Sequence, residues 1–369
     1  MYSWTSRVRP VVRHITGCLR CYSSATSGRQ HGPLRILFCG ADEFSIYSLR
    51  ALDAFQKRQP GKIDSISVVC RPDKRVGRGL KKVQEVPIKS VATELGLRLH
   101  QIDTFTLWSP PDPIDLILTA SFGLKVPSRI LNMAQYGGLN VHPSILPDLR
   151  GPSPIQYALL KRKSHTGVTI QTMHPTKFDH GKLVLQTPRP GVPITERATP
   201  HELLHSLGPI GAELLCDTID KGLFIEPIRD LNMDEPVEGL SHAPKITPED
   251  RHIDWTKWSA DEIQLRDRVL GRLWDMTTYK NCGIMGDSLN FKRTTFHGPW
   301  SLSGRSENVP TLPGTPRLTS AEGGVAANQL ALNTIDGKTI IPSNATIEGG
   351  RKGAGLPTLI AHLQKQGVE

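Results

Sequence analysis

The stretch Gly138-Leu139-Asn140-Val141-His142-Pro143-Ser144-Ile145-Leu146-Pro147 follows an apolar run and a loop, and it reads as a strand feeding a stiff polar turn. Asn140 and His142 are two residues apart, so in an extended segment both project from one face and can reach one ligand. Pro143 and Pro147 bracket the turn. Each lacks a backbone donor and restrains the residue before it, so the remaining amides and carbonyls are expected to aim outward. An Asn-x-His pair alone is more often a hydrogen-bonded turn than a catalytic pair, and the continuation changes that balance. Arg150-Gly151-Pro152-Ser153-Pro154-Ile155 leads to a helix through Leu160, Thr166-Gly167-Val168-Thr169-Ile170 is a β-branched strand, and Asp179-His180-Gly181 closes a tight turn. An amide, an imidazole and a carboxylate thus come from neighbouring strand-loop units.

Outward from this centre the chain alternates strands and helices. Leu34 to Gly40 is a short apolar run ending in glycine, and Phe44, Tyr47, Leu49 and Leu52 follow in helical spacing. Further strands are predicted at Ile63 to Cys70 and Asp115 to Ala120, and a helix between Thr199 and Lys221. The pattern predicts an α/β domain with a Rossmann-like parallel sheet over residues 34–228. A single glycine follows the first strand, so Gly-x-Gly-x-x-Gly is missing and a dinucleotide site is disfavoured. Residues 229–248 are rich in Pro, Asp, Glu and other polar residues and read as a linker. Beyond it, Ser259 and Glu262 form a capping-box pattern, and Ile263, Leu270 and Trp274 are expected on one side of the helix they start. Past Asn281 short β-like runs take over. Asp336-Gly337, between Leu330 to Thr334 and Thr339 to Ile341, is a hairpin signal. Residues 249–369 therefore read as a small OB-like β-barrel domain closed by a helix from about Pro357, with polar residues 301–317 as a disordered insertion. A chain of 369 residues exceeds what one core usually serves, which agrees with two domains.

The first acidic residue is Asp42, whereas Arg7, Arg9, Arg13, Arg20 and Arg29 precede Leu34 among Ser23, Ser24, Thr26 and Ser27. Residues 1–33 thus have the composition of a mitochondrial presequence, which predicts the mitochondrial matrix. On a helix, Trp4, Val8, Val11, Ile15 and Leu19 would line one side opposite Arg9, Arg13 and Arg20, with Pro10 interrupting early. Removing the five arginines lowers the net charge from +10 to +5, and a polyanionic partner fits the basic remainder. No apolar run approaches the roughly 20 residues that cross a bilayer. Cys18-x-x-Cys21 has no second ligand pair at metal spacing, so free thiols and no metal are expected. Between Arg71 and Lys82, six basic residues stand against one acid, with two glycines expected to keep the loop mobile.

The order Asn-x-His-x-Ser-x-Leu-Pro, Arg-Gly-x-x-Pro-Ile, Thr-Gly-Val-Thr-Ile and Asp-x-Gly resembles the folate-dependent formyltransferases, most of all those that act on methionyl-tRNA. The resemblance runs from about Leu34 to the helix near Leu363 and includes Ile253-Asp254-Trp255. It implies transfer of the formyl group of 10-formyltetrahydrofolate to the α-amine of methionyl initiator tRNA through a tetrahedral intermediate, without a metal or covalent nucleophile. It implies Asn140, His142 and Asp179 as the catalytic trio and Ser144, Ile145, Leu146 and Pro147 as the folate loop. Arg75, Arg78, Lys81 and Lys82 would meet the tRNA acceptor arm, and the barrel domain would bind tRNA. The chain departs from the family at Phe122, in a pocket-lining segment where a tyrosine is common, and at His180, where a smaller residue is usual. Other folate-dependent formyltransferases or hydrolases, and a non-catalytic RNA-binding protein on the same fold, are the alternatives.

Overall fold

The computed structural model describes residues 29–231, 239–283, 292–303, 312–319 and 328–366. The expected presequence helix and the Cys18/Cys21 pair lie outside these residues. Two compact units part between Pro244 and Lys245.

In the first unit the chain runs β1 (Leu34–Gly40), α1 (Glu43–Arg58), β2 (Ile63–Cys70), β3 (Lys74–Val76), β4 (Lys82–Gln84), α2 (Pro87–Glu94), β5 (Arg98–Gln101) and β6 (Leu116–Ala120). It continues through α3 (Ser128–Leu131), β7 (Gly138–His142), α4 (Pro154–Leu160), β8 (His165–Thr166), β9 (Thr169–Thr172), β10 (Leu183–Gln186), β11 (Val192–Pro193) and α5 (Pro200–Asp220). Seven strands form one sheet in the order β10-β9-β7-β6-β1-β2-β5. The five from β7 to β5 are parallel, and β9 and β10 add antiparallel pairs at one edge. Buried parallel strands carry continuous apolar runs because both faces are covered. Alternate residues accordingly split: Leu37, Cys39, Val69 and Ile117 join Ile130, Phe105 and Phe122 in one cluster. Phe122 packs into the core, edge-on to Phe105. From β1 the chain builds outward to β2 and β5, then returns across β1 to β6 and β7. That reversal makes a switch point, and the carboxyl ends of strands beside one are where open α/β sheets bind ligands.

On the far side α1 packs against α5. The approach is close because Gly208 faces the ring of Tyr47: a Cβ there would lie 2.2 Å from a ring carbon. Gly208 also precedes Pro209 inside the helix, where a side chain would crowd the proline ring. The basic segment after β2 is a two-stranded hairpin of β3 and β4. Its glycines build the tip: Gly77 and Gly79 take φ of 80° and 70°, values that cost glycine little. Asp73, at the hairpin base, accepts from Lys89 Nζ at 2.5 Å and from the Val86 amide at 3.2 Å, tying the base to α2.

The second unit runs α6 (Ala260–Leu270), β12 (Trp274–Asp275), α7 (Thr278–Asn281), β13 (Thr294–Leu302), β14 (Pro316–Leu318), β15 (Leu330–Asn333), β16 (Thr339–Ile347) and α8 (Gly355–Gln366). Its strands form an antiparallel sheet in the order β12-β13-β16-β15-β14. Among the described residues no pairing joins the edge strands β12 and β14, so the OB-like closure expected from the sequence is not seen there. The Asp336-Gly337 turn does join β15 to β16. Ser259 caps α6 by accepting from the Glu262 amide, but the helix stops at Gly271, φ 65°. Trp274 therefore belongs to a strand and not to the helix face, and Ser301, Leu302, Pro316 and Arg317, expected in a disordered insertion, are also strand. Asp275 is buried and accepts from Trp255 Nε1, Thr277 Oγ1 and Thr278 Oγ1 at 2.7 to 2.8 Å. Burial pushes its pKa up.

Gly208→Ala tests the α1–α5 contact. Alanine in a helix interior ordinarily gains about 1 kcal/mol over glycine, whereas overpacking costs about 1–3 kcal/mol. With the Tyr47 hydroxyl 2.7 Å from His205 Nδ1 and its ring so held, the second effect wins. Thermal unfolding should show a lower Tm for the variant, and a higher one would refute this account of the packing.

Candidate active site

Strand β7 lies between β6 and β9, and the register sets Asn140 opposite Thr119 on one side and Gln171 on the other. Partners in register share a face of the sheet, so three polar side chains form a row across it. Thr119 Oγ1 donates to Asn140 Oδ1 at 2.7 Å, which fixes the amide so that Nδ2 faces away from Thr119. Asn140 Nδ2 donates to Asp179 Oδ1 at 3.3 Å, and Gln171 Nε2 donates to the same oxygen at 2.7 Å. His142, one step further along the face, places Nδ1 3.5 Å from that oxygen. Asp179 Oδ1 is thus the atom on which Asn140, His142 and Gln171 converge. The three residues read from the sequence are brought together, in a buried setting: the side chains of His142 and Asp179 are 5% and 7% exposed.

Local backbone geometry makes this meeting possible. Asp179 sits in the turn between β9 and β10 with φ 53°, a left-handed conformation that aspartate tolerates better than most residues. Two residues on, a Cβ at Gly181 would lie 1.7 Å from the Thr172 carbonyl oxygen, so only glycine lets the turn close against β9. The second carboxylate oxygen, Oδ2, accepts from the Gly151 amide at 2.9 Å. Gly151 has φ 122°, and a Cβ there would lie 2.3 Å from the Ala243 carbonyl oxygen. Ser241 to Ala243 run beside this loop: the Leu149 amide donates to Ser241, the Ala243 amide to Arg150, and the Ser153 amide to Ala243. The segment read as a linker therefore buttresses the carboxylate through Gly151.

His142 Nε2 lies 3.0 Å from the Leu149 carbonyl oxygen. A carbonyl only accepts, so Nε2 is the protonated nitrogen. Nδ1 is then left to take up or release a proton next to Asp179. His180 turns away: it is exposed, and its Nδ1 donates to the Phe178 carbonyl at 2.5 Å.

The loop after β7 differs from its reading in one respect. Its polar groups point inward and not out. Ser144 Oγ donates to the Asp148 carbonyl, Thr169 Oγ1 donates to the Ser144 carbonyl, and Gln186 Nε2 donates to the Leu146 carbonyl at 2.7 to 2.9 Å. Ser144 and Leu146 are buried, while Ile145 and Pro147 remain half-exposed. The basic residues lie elsewhere. Arg75 and Lys82 are exposed on the β3–β4 hairpin, Lys81 is exposed at its turn, and Arg78 opens the 3-10 turn at the tip. They share the hairpin with exposed Leu80 and Val83.

Thr119, Gln171 and the Gly151 amide were not singled out by sequence. Gln171 offered a signal, a polar residue inside a β-branched run, but its partner is set by strand register. Its Oε1 is buried without a hydrogen-bond partner among the described residues, beside the carboxylate. Buried polar atoms are almost always satisfied, so this acceptor is available to a donor entering the site.

The formyl transferase family matches residues 34–219. The chain is 33% identical over 279 residues to the mitochondrial methionyl-tRNA formyltransferase of Saccharomyces cerevisiae, covering 65% of this chain and 69% of that one. It is 36% identical over 242 residues to the methionyl-tRNA formyltransferase of Methylobacillus flagellatus, covering 64% and 74%. Among solved structures, an N-formyltransferase of Helicobacter canadensis in complex with folinic acid and dTDP-3-aminofucose aligns with a TM-score of 0.49 at 16% identity, over 84% of this chain and 98% of that one. Family match, shared length and a site of amide, imidazole and carboxylate at the end of β7 agree: the chain belongs to the formyl transferase family, with the methionyl-tRNA formyltransferases.

Proposed function

We propose that this enzyme moves the formyl group of 10-formyltetrahydrofolate to the α-amine of methionine esterified to initiator tRNA, in the mitochondrion, and that Asn140, His142 and Asp179 carry the chemistry. The observation that supports it most is the convergence of Asn140 and His142 on Asp179 Oδ1. The amine attacks the formyl carbon, a C–N bond forms, and negative charge collects on the former carbonyl oxygen. Asn140 Nδ2 keeps a second N–H beyond its long bond to Asp179, and that hydrogen is the donor for the oxyanion. A well-aimed donor of this kind contributes about 3 kcal/mol to the transition state. The intermediate collapses by breaking the bond to the folate nitrogen, which takes a proton while the new amide gives one up. His142 Nδ1 and Asp179 lie where that proton is exchanged, and positioned acid–base help gives about 100- to 10,000-fold. Gln171 and the Gly151 amide hold the carboxylate in place.

Co-substrate and tRNA use different surfaces. The half-exposed Ile145 and Pro147 offer an apolar edge to a pterin, on a loop fastened by Thr169 and Gln186. The hairpin carrying Arg75, Arg78, Lys81 and Lys82 meets the tRNA acceptor arm, where cations supply affinity and register through phosphates. Leu80 and Val83 beside them give the hairpin an apolar contact for unstacked bases. The second unit is a further tRNA-binding surface. The arginine-rich, acid-free residues 1–33 address the chain to the matrix.

Asn140→Ala and His142→Ala are each expected to lower kcat for formylation of charged initiator tRNA by about 100-fold or more, with little change in Tm. Normal turnover by a folded His142→Ala enzyme would remove the assignment, and formate release into water without tRNA formylation would indicate a hydrolase. Replacing Arg78, Lys81 and Lys82 together by alanine should weaken tRNA binding and reduce the salt slope of log Kd by about 2–3, leaving folate affinity in place. Equal loss of both ligands would mean that the hairpin is structural.

A further inference from the structure

Away from the formyl-transfer site, His201-Glu202-Leu203-Leu204-His205 begins α5. Histidines at i and i+4 lie on one face of a helix, the spacing by which His-Glu-x-x-His helices hold zinc. A metal reading of the sequence based on cysteines passes over this pair. The third partner comes from α1, whose first residue is Glu43. His201 Nε2 and His205 Nε2 are 2.8 Å apart, and Glu43 Oε2 lies 3.8 and 3.6 Å from them. Among the described residues, this is the one group of three such donors within metal-binding distance of one another.

We propose that Glu43, His201 and His205 form a zinc site that clamps the start of α1 to the start of α5. Tetrahedral zinc with bonds of 2.0–2.1 Å sets its ligands about 3.3 Å apart. The carboxylate stands within about 0.5 Å of that spacing from both imidazoles. The two nitrogens must open by about 0.5 Å, which His201 can supply because its side chain is 70% exposed. His205 is aimed at the cluster by its other nitrogen: Nδ1 lies 2.7 Å from the Tyr47 hydroxyl, one turn along α1 from Glu43. A partner on the far ring nitrogen is the usual means of orienting a metal-bound histidine. Tyr47 is itself seated on Gly208, so the tight helix contact positions the ligands.

The middle glutamate separates this site from hydrolytic zinc centres with the same spacing. Glu202 Oε2 accepts from the Thr199 amide at 2.8 Å and from its hydroxyl at 2.9 Å, as the carboxylate of a capping box. These bonds commit it to the helix end. It is not placed to activate a metal-bound water, and the ion would join two helices without catalysing hydrolysis.

Full-length protein stripped with chelator and titrated with ZnCl2 by calorimetry should bind a single ion, with a rise in Tm, as any ligand selective for the folded state produces. Co2+ in place of Zn2+ should give visible absorption of a low-symmetry four- or five-coordinate site. Both signals should vanish in His201→Ala and in the His201→Ala/His205→Ala double variant. Tyr47→Phe, which keeps every ligand, should weaken binding by roughly 10-fold or more. Absence of binding by the wild-type chain, or binding that survives in a folded double variant, overturns the proposal.

Discussion

The register of β7 against its two neighbours is the constraint on which the candidate site rests. Thr119, Asn140 and Gln171 align because β6 pairs with β7 in parallel and β9 pairs with it antiparallel. A slip of one residue would turn Asn140 and His142 to the opposite face of the sheet. What holds the register is burial on both sides, since Leu139 and Val141 alternate with the polar pair and lie in the core. The apolar half of the strand therefore stabilises the fold and indexes the polar half against Asp179. Antiparallel pairing takes the end of β9 to the amino end of β7, where Thr172 lies opposite Leu139, and the turn that follows folds back so that Asp179 reaches Asn140 and His142.

Much of this was legible in residues 34 to 220. The buried strands announce themselves as continuous apolar runs, and Asn140, His142 and Asp179 stand out through motifs bounded by Pro or Gly whose resemblance to the formyltransferases singles them out. The reading weakened wherever the deciding partner is distant. Proline stiffens residues 143–147 but says nothing about where their polar groups go, and those groups are claimed by Thr169 and Gln186 from later strands. Thr119 and Gln171 acquire meaning only once strand pairing is known. Trp274 continued the helical spacing of Ile263 and Leu270, and the left-handed Gly271 that ends the helix outweighed it. Glycines read as a source of mobility at 77 and 79 proved to be the residues that allow a defined hairpin tip.

The same logic of near and far partners recurs on the other side of the sheet. The His201/His205 spacing is local, but it becomes a site only because α1 starts with Glu43 and carries Tyr47 one turn later. Two i,i+4 pairs on facing helices, brought together over Gly208, make a contact in which packing and donor chemistry share the same residues.

The seating of Ser241 to Ala243 beside Gly151 bears on how the first unit can be isolated. A fragment ended by composition, just after α5 or at the polar run that follows, would strip hydrogen-bond partners from Leu149, Arg150 and Ser153. It would also remove the Ser241 amide that donates to the Asp148 carboxylate at 2.7 Å. The loop presenting the Gly151 amide to Asp179 would lose its outer wall, so such a piece would keep the whole sheet together with Asn140, His142 and Asp179 while loosening the hold on the Asp179 carboxylate. A piece that keeps the first unit intact therefore extends to Pro244, some two dozen residues past the last helix of the sheet domain.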